Sequence, residues 1–289
     1  TFPQNDPENC IFAPDVISFA RSRGYFEGKD KDFSFCDAYA PLDFSGMRAC
    51  EARAWSAFNI LCDGKFTFED ENGNVVTKDA YDYIDYAMGW DTSKRFPLFV
   101  KPTRKISVKD VADVMRDHYE GTPMDMTTDI GAGGSHLPYR WRPMYFTVDG
   151  VEYCNERATA TQQTGFWLCG QARENKVGIL WFGTDDAATS ALTPIYVNTT
   201  EIPWCLSEEN GSLLKYSDSS MFWITNRVTQ FASLRYEVIG KKVREYVDIW
   251  ENNMLENVKQ IDIAIGNTPK AKKKAQIATQ FTLNGAQQL

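Results

Sequence analysis

Residues 116–126 bring together side chains that can bind a substrate or take part in catalysis. The segment reads Arg-Asp-His-Tyr-Glu-Gly-Thr-Pro-Met-Asp-Met, and it contains one of the two histidines of the chain, His118, between two acids. Functional groups are often displayed where a helix gives way to a loop. A structural interpretation is preferred on chemistry alone, because Arg116 and His118 also suit the carbonyl end of a helix that stops at Gly121.

A second polar run, Asn-Glu-Arg-Ala-Thr-Ala-Thr-Gln-Gln-Thr-Gly-Phe, covers residues 155–166 and leads into a predicted strand. Alternation along an extended chain places Arg157 and Thr159 on the same side. Arg157 can then face a cleft and bind a carboxylate through two parallel hydrogen bonds. An ion pair between Arg157 and Glu156, or another acid, is an equally supported alternative.

The third candidate is a pair of carboxylates, Asp185 and Asp186, which follow the run Leu-Trp-Phe-Gly-Thr at residues 180–184. Adjacent residues of an extended chain point in opposite directions, so these two acids do not form a carboxylate dyad. One of them can bind a substrate ammonium group while the other caps the next turn. Capping by both residues is an alternative of at least equal weight.

Other catalytic and metal-binding arrangements are not expected. There is no Gly-x-Ser-x-Gly elbow for a serine nucleophile, and neither His118 nor His136 belongs to a zinc-binding motif. The glycine-rich segment at 131–135 lacks the lysine of a phosphate-binding loop and is interpreted as a flexible loop. No cofactor and no metal site are predicted.

Composition limits the classes of partner. A net charge of −8 and a sequence pI near 5.0 disfavour nucleic acid. The lysines at 270 and 272–274 are interpreted as a solvated helix face. No run approaches the roughly 20 apolar residues of a membrane span. The seven scattered cysteines lack a CxxC pattern, and Cys62 and Cys169 lie among apolar neighbours, so a disulfide framework is not indicated.

Hydrophobic spacing predicts helices at both ends of the chain and strands between them. A helix is expected over 13–22, another over 108–118 behind a Ser107–Asp110 capping box, and a long helix after Asp218, kinked at Gly240. A further helical stretch is expected over 255–280, and the run at 49–61 fits either a helix or a strand. Short strands are predicted over 144–148, 160–172, 177–183 and 194–198, paired antiparallel. The chain shows no internal repeat or linker, so residues 1–289 are predicted to form a single domain of the α+β class.

Together these stretches resemble the PepD-type dipeptidases, cysteine hydrolases of the N-terminal-nucleophile superfamily. The resemblance extends through nearly the whole chain. It is carried by the segments at 9–20, 43–47, 117–126, 139–143, 156–166, 180–187 and 193–196.

The resemblance implies an αββα sandwich that hydrolyses dipeptides or short peptides. In such enzymes an N-terminal cysteine attacks the carbonyl carbon, and its own α-amino group serves as the base. The Cys-Thr start of the family is not found here, and Cys10 falls in a segment that matches the middle of the family. The nucleophile and the first part of the sheet are therefore expected upstream of this chain, and Thr1 is not expected to replace the cysteine.

The resemblance and the residue patterns together suggest roles for four residues. Arg157 and Thr159 are expected to line the substrate cleft, Asp185 to bind a substrate amine, and Asn226 to offer an amide hydrogen to an oxyanion. Asn226 as a plain polar position on its helix is the preferred alternative. The chain alone is expected to be inactive and to need the upstream segment or another chain, and a homo-oligomer remains open.

Two other functions stay open beside the cysteine dipeptidase. One is a non-catalytic member of the same fold that binds peptides or a partner. The other is a metal-dependent hydrolase that would use His118, Asp185 and Asp186. The sequence leaves open whether the protein is cytoplasmic or exported.

Overall fold

A computed structural model describes residues 8, 11–70, 72–140, 145–155 and 157–289 of the protein. Thr1, Cys10 and Glu156 lie outside these residues. The α-helices are α1 (Val16–Ser22), α2 (Phe35–Tyr39), α3 (Phe44–Gly46), α4 (Ala52–Leu61), α5 (Ile84–Ala87), α6 (Val108–Met115), α7 (Met221–Leu234), α8 (Lys241–Gly266) and α9 (Ala271–Gln288). The strands are β1 (Lys65–Glu69), β2 (Val75–Asp79), β3 (Tyr145–Val148), β4 (Val151–Cys154), β5 (Phe166–Gln171), β6 (Ile179–Thr184) and β7 (Thr193–Tyr196).

The described strands form three small antiparallel sheets, in the orders β1-β2, β3-β4 and β5-β6-β7. Helices α1 to α4 precede the first sheet, α5 and α6 follow it, and a long helical region follows the last sheet. The predicted α+β class, the antiparallel pairing and the C-terminal helical region are therefore confirmed.

Helix α6 begins where the sequence predicts. The Ser107 hydroxyl accepts a hydrogen bond from the Asp110 amide at 3.2 Å, and the Asp110 carboxylate accepts one from the Ser107 amide at 2.7 Å. The helix ends at Met115, three residues before the predicted end. Beyond this end the chain leaves the helical path, and Tyr119 adopts a left-handed backbone with a φ of 65°.

The early part of the chain differs from the prediction at the start of α1 and at the β1–β2 hairpin. Helix α1 begins at Val16 instead of 13, and the undecided run at 49–61 is helical, with a π-helical turn over Met47–Glu51 before α4. The β1–β2 hairpin was not predicted from the sequence. Its turn is held by Asp70, whose carboxylate accepts hydrogen bonds from the amides of Asn72 and Asn74.

The three-stranded sheet packs one face against the C-terminal helices. Trp167 on β5, Ile179 and Trp181 on β6, and Tyr196 on β7 are almost fully buried on that face. Residues of α8 and α9, including Met254, Val258 and Ala278, complete this core. A second core surrounds α4 and β1, with the large side chains Trp55, Phe66, Tyr86 and Tyr119. Helix α6 contacts both α4 and β5, so it joins the two cores.

The C-terminal helices are divided differently from the prediction. Between α7 and α8 lies a π-helical segment, Tyr236–Gly240, so the predicted kink at Gly240 is confirmed as a local break. A Cβ atom at Gly240 would lie 3.0 Å from the Tyr236 ring, which explains the glycine. The prediction of a separate stretch at 255–280 was wrong, because α8 runs on to Gly266 and the next break contains Pro269.

Candidate functional site

Arg116 anchors the loop that carries the predicted carboxylates. The guanidinium is buried and donates hydrogen bonds to the carbonyl oxygens of Ala187 and Ser190 at 2.8 and 2.9 Å. It also forms a two-pronged pair with the buried Glu251 carboxylate at 2.6 and 3.0 Å, and it lies 4.7 Å above the Trp167 ring. This buried pair, instead of a contact with the carbonyl end of α6, fixes the Arg116 side chain.

In the turn after Arg116, two acids and a histidine are held by hydrogen bonds to neighbouring groups. The Asp117 carboxylate accepts hydrogen bonds from the Ser56 hydroxyl at 2.6 Å and from the Tyr119 amide at 2.9 Å. The Glu120 carboxylate accepts from the His118 amide at 2.6 Å and lies 3.0 Å from His118 Nδ1. Burial raises the pKa of Asp117 to about 6, in spite of these hydrogen bonds.

His118 lies deeper than its polar neighbours. Its side chain is fully buried, its ring contacts the rings of Tyr139 and Tyr236, and its Nε2 atom has no hydrogen-bond partner among the described residues. The Tyr139 hydroxyl donates a hydrogen bond to the Asp186 carboxylate. Burial raises the pKa of Asp186, and burial together with the nearby Asp186 charge raises the pKa of Tyr139 well above its usual value.

Asp186 behaves as the capping interpretation predicts. Its carboxylate accepts hydrogen bonds from the Ala188 amide at 3.3 Å and from the Thr189 hydroxyl at 3.2 Å. Its carbonyl oxygen accepts a hydrogen bond from the Ser190 hydroxyl at 2.7 Å. Asp186 therefore organises the turn that follows β6.

Asp185 and Asn226 lie side by side in the structure. The Asn226 Nδ2 atom is 3.4 Å from each carboxylate oxygen of Asp185. Asp185 is buried and has a φ of 65°, and its amide donates to the Gly165 carbonyl oxygen at 2.8 Å. The left-handed backbone at Asp185 turns its side chain away from the strand and toward α7.

Two hydroxyl contacts join the end of β6 and the loop after it to α7, and they explain why Asn226 reaches Asp185. The hydroxyls of Thr184 and Thr225 lie 2.9 Å apart, and those of Thr189 and Thr229 lie 2.7 Å apart. Thr225, Asn226 and Thr229 occupy one face of the helix, because residues three and four positions apart are neighbours. The structure thus brings together two of the four residues that the sequence singled out.

Arg157 and Thr159 occupy a different environment. The Arg157 side chain is exposed and forms no ion pair with any described residue, while Thr159 is half-buried. Their segment is tied to the turn after α6 by its backbone. The Tyr119 hydroxyl donates to the Arg157 carbonyl oxygen at 2.9 Å, and the Ala160 amide donates to the Asp117 carbonyl oxygen at 3.1 Å.

A cavity of about 710 Å³ opens beside this network, between the turn after α6 and the break between α7 and α8. Its wall includes Glu120, Tyr236, Glu237, Lys241 and Arg244. Arg157, Thr159, Asp185 and Asn226 are not part of this wall. The cavity is therefore distinct from the Asp185–Asn226 pair, although Ala188 of the same loop also lines it.

The described cysteines differ in exposure. Cys36 and Cys50 are exposed in the first part of the chain. Burial raises the pKa of the Cys62, Cys169 and Cys205 thiols, which favours the unreactive protonated form. No group of three or more histidine, cysteine or acidic side chains among the described residues is placed to hold a metal ion. Among the residues that the structure describes, no helix is long and apolar enough to span a membrane.

Sequence reasoning missed several members of the site. Glu251 carries a readable signal, because it lies four residues after Val247 and three before Met254 on the buried stripe of α8. An acid in an apolar stripe needs a buried partner. Ser56 and Tyr139 carry no such signal, since their partners Asp117 and Asp186 are 61 and 47 residues away in the chain.

Comparison with known proteins identifies the family to which the chain belongs. The family model described as peptidase family C69 matches residues 1–248. The match covers most of the chain, so the chain belongs to peptidase family C69. This finding confirms the resemblance to a family of dipeptidases.

A curated protein of Salmonella dublin, described as a probable dipeptidase, is 26% identical to the chain over 144 residues. The alignment covers 50% of this chain and 27% of that protein. The chain thus spans about a quarter of the length of the curated relative it matches.

Proposed function

We propose that the protein is a cysteine dipeptidase that hydrolyses dipeptides or short peptides, with an N-terminal cysteine upstream of this chain as nucleophile. The observation that carries the proposal is the match to a peptidase family over residues 1–248. The similarity to a protein described as a probable dipeptidase supports the choice of short substrates.

The proposed reaction needs a thiolate and a base of suitable strength. The base takes the thiol proton, the thiolate sulfur attacks the carbonyl carbon, and the protonated base returns that proton to the leaving amine as the carbon–nitrogen bond breaks. Water then hydrolyses the thioester and restores the thiol. An α-amino group, with a pKa of about 8, is a suitable base beside its own thiol. The raised pKa values of the Cys62, Cys169 and Cys205 thiols support placing the nucleophile elsewhere.

The proposed fold is an αββα sandwich, with residues 1–289 as the larger part of a single domain. The outer face of the three-stranded sheet supports it. Phe166 and Leu168 on β5 are exposed on that face, and Leu180 and Phe182 on β6 are only half-buried. An apolar sheet face of this kind normally packs on another layer, so we propose that a second sheet covers it in the whole protein.

Within this proposal, Asp185 binds the ammonium group of the substrate, and Asn226 donates an amide hydrogen to the oxyanion. The 3.4 Å contacts between the two side chains support a shared role. A bound ammonium would compensate the buried Asp185 charge and release one Asn226 N–H for the oxyanion. Arg157 and Thr159 are proposed to line the cleft from the neighbouring segment, where the exposed Arg157 guanidinium can reach a substrate carboxylate.

The proposal is tested on the natural full-length protein. Its intact mass and N-terminal sequence are determined, and Ala-Ala hydrolysis is measured before and after treatment with iodoacetamide and, separately, with a metal chelator. We expect a mature N-terminal cysteine, activity that is lost on alkylation, and no loss with the chelator. Loss with the chelator alone would replace the cysteine mechanism by a metal-dependent one. Peptide binding without any hydrolysis would favour a non-catalytic member of the family.

A further inference from the structure

The cavity beside α8 carries an unusual pattern of charges. Glu237, Lys241 and Arg244 succeed one another at spacings of four and three residues, so they share one side of the helical segment and all line the cavity. Oppositely charged residues four apart on a helix normally pair. Here Glu237 pairs instead with Arg235, and Lys241 forms no ion pair with any described residue.

Two atoms of this wall lack hydrogen bonds within the described part of the chain. Arg244 Nη1 and Glu237 Oε2 are both buried without a hydrogen-bond partner. Such atoms are unfavourable unless a partner is supplied. Arg244 Nη2 donates to Asp113 at 2.9 Å and also lies 3.0 Å from the Asp248 carboxylate, so Nη1 is the nitrogen left without a partner. The two side chains are partly exposed, at 28% for Arg244 and 23% for Glu237, although these two atoms are themselves buried.

From these observations we propose that the cavity binds a small zwitterion, a free α-amino acid, at a site separate from the proposed catalytic residues. Its carboxylate contacts Lys241 and Arg244, and its ammonium group contacts Glu237, with the Glu120 carboxylate on the opposite wall. Charge-assisted hydrogen bonds of this kind are the stronger ones in proteins. The volume of about 710 Å³ lies in the usual range for small-molecule sites and leaves room for an apolar side chain against Tyr236 and Ala188.

The choice of a zwitterion follows from the balance of charge. The cavity wall carries the acids Asp113, Asp117, Glu120 and Glu237 and the cations Arg116, Lys241 and Arg244. A simple anion would satisfy Lys241 and Arg244 but would face the carboxylates. A simple cation would meet the opposite repulsion. A ligand that carries both charges can contact the cations and the acids at once, whereas a singly charged analogue is repelled by the groups of its own charge.

The test is an NMR titration of the full-length protein with L-leucine, N-acetyl-L-leucine and L-leucinamide. We expect L-leucine to bind, and each capped form to bind roughly tenfold more weakly, because each has lost one charge-assisted contact. Substitutions in the cavity then show which residue contacts the carboxylate and which contacts the ammonium group. Lys241→Gln should weaken L-leucine binding roughly tenfold and remove the penalty for L-leucinamide, and Glu237→Gln should do the same for N-acetyl-L-leucine.

Matched controls lie on the outer side of the same helix. Lys242 and Glu245 pair with each other at 2.6 Å, and both are 61% exposed. Lys242→Gln and Glu245→Gln should leave the Kd for L-leucine unchanged. Equal Kd values for the three ligands, or equal effects of control and cavity variants, would overturn the proposal. So would loss of binding in Asp185→Asn with normal binding in Lys241→Gln, which would place the amino acid in the proposed catalytic cleft.

Discussion

The Asp185–Asn226 pair and the Arg157–Thr159 segment are held in place by different kinds of contact. Asp185 begins a loop in which the carbonyl oxygens of Ala187 and Ser190 accept hydrogen bonds from the buried Arg116. The next residue, Asp186, is also buried and hydrogen-bonded. The Arg157 segment is held through its backbone, and its guanidinium is exposed. The contacts around Asp185 therefore hold its side chain in place, whereas those of the Arg157 segment hold only the backbone.

This difference predicts how each region responds to substitution. Removing a side chain from the buried network leaves a charge or a donor without its partner, so the loss appears mainly in folding stability. Removing the exposed Arg157 side chain leaves the backbone contacts intact, so any loss appears mainly in substrate binding. The following substitutions test this contrast.

The largest effect is expected for Arg116→Met. It leaves the Glu251 carboxylate buried without its cation, which should lower the free energy of unfolding by about 3 to 5 kcal/mol. Urea unfolding of the full-length protein measures the change. The double variant Arg116→Met/Glu251→Met should recover much of the loss, because no buried charge then remains unpaired.

The matched control for this pair is Arg95, which bonds Asp37 at 2.9 Å on the surface, where the two side chains are 44% and 58% exposed. Arg95→Met should change the unfolding free energy by less than about 1 kcal/mol. A similar loss for Arg95→Met and Arg116→Met would contradict the contrast between the buried and the exposed pair.

The second prediction concerns pH. Burial raises the pKa of Asp117 from 3.8 to about 6, so between these values the folded protein binds more protons than the unfolded chain. The contribution of Asp117 to stability is therefore fully present below pH 4 and is lost as the pH rises through 6. At pH 8 the cost is on the order of 3 kcal/mol at most.

Asp117→Asn removes this titration and retains groups that can bond Ser56 and the Tyr119 amide. The variant should be more stable than the wild-type protein at pH 8, and the difference should shrink toward pH 4. Urea unfolding at several pH values measures it. Glu120 works in the opposite sense: burial raises its pKa, but bonds from His118 outweigh this and lower it. The difference between the two proteins isolates Asp117, and a difference that does not change with pH would contradict its titration.

The third prediction uses two glycines on neighbouring strands. A Cβ atom at Gly183 would clash with Trp167 Nε1, which donates to the Ser190 hydroxyl at 2.8 Å. Gly183→Ala should therefore displace Trp167 and lower the unfolding free energy by about 2 kcal/mol. Gly170, on β5, has no atom within 4 Å of its Cβ position. Gly170→Ala should change stability by no more than about 0.5 kcal/mol, and equal losses would contradict this account of the Trp167 contact.

Local chemistry in the sequence predicted much of this structure. The Ser107–Asp110 capping box involves neighbouring residues, so a short-range pattern places it correctly. The contacts that assemble the site join distant positions, such as Arg116 with Glu251. They depend on how the cores around α4 and α8 meet at α6, and no pattern within one segment contains that information. The hydrogen bond from the Tyr119 hydroxyl to the Arg157 carbonyl oxygen is another contact between distant positions of the chain.

The smallest effect on stability is expected for Arg157→Ala. Its exposed side chain has no partner among the described residues, and the Tyr119 bond to its carbonyl oxygen remains, so the unfolding free energy should change by less than about 0.5 kcal/mol. If Arg157 binds a substrate carboxylate as proposed, kcat/KM for Ala-Ala should fall roughly tenfold, mainly through KM. Lys215→Ala, which removes an exposed positive charge elsewhere, should change neither quantity. An unchanged kcat/KM in Arg157→Ala would remove Arg157 from the substrate site and leave its segment with a purely structural connection to the turn after α6.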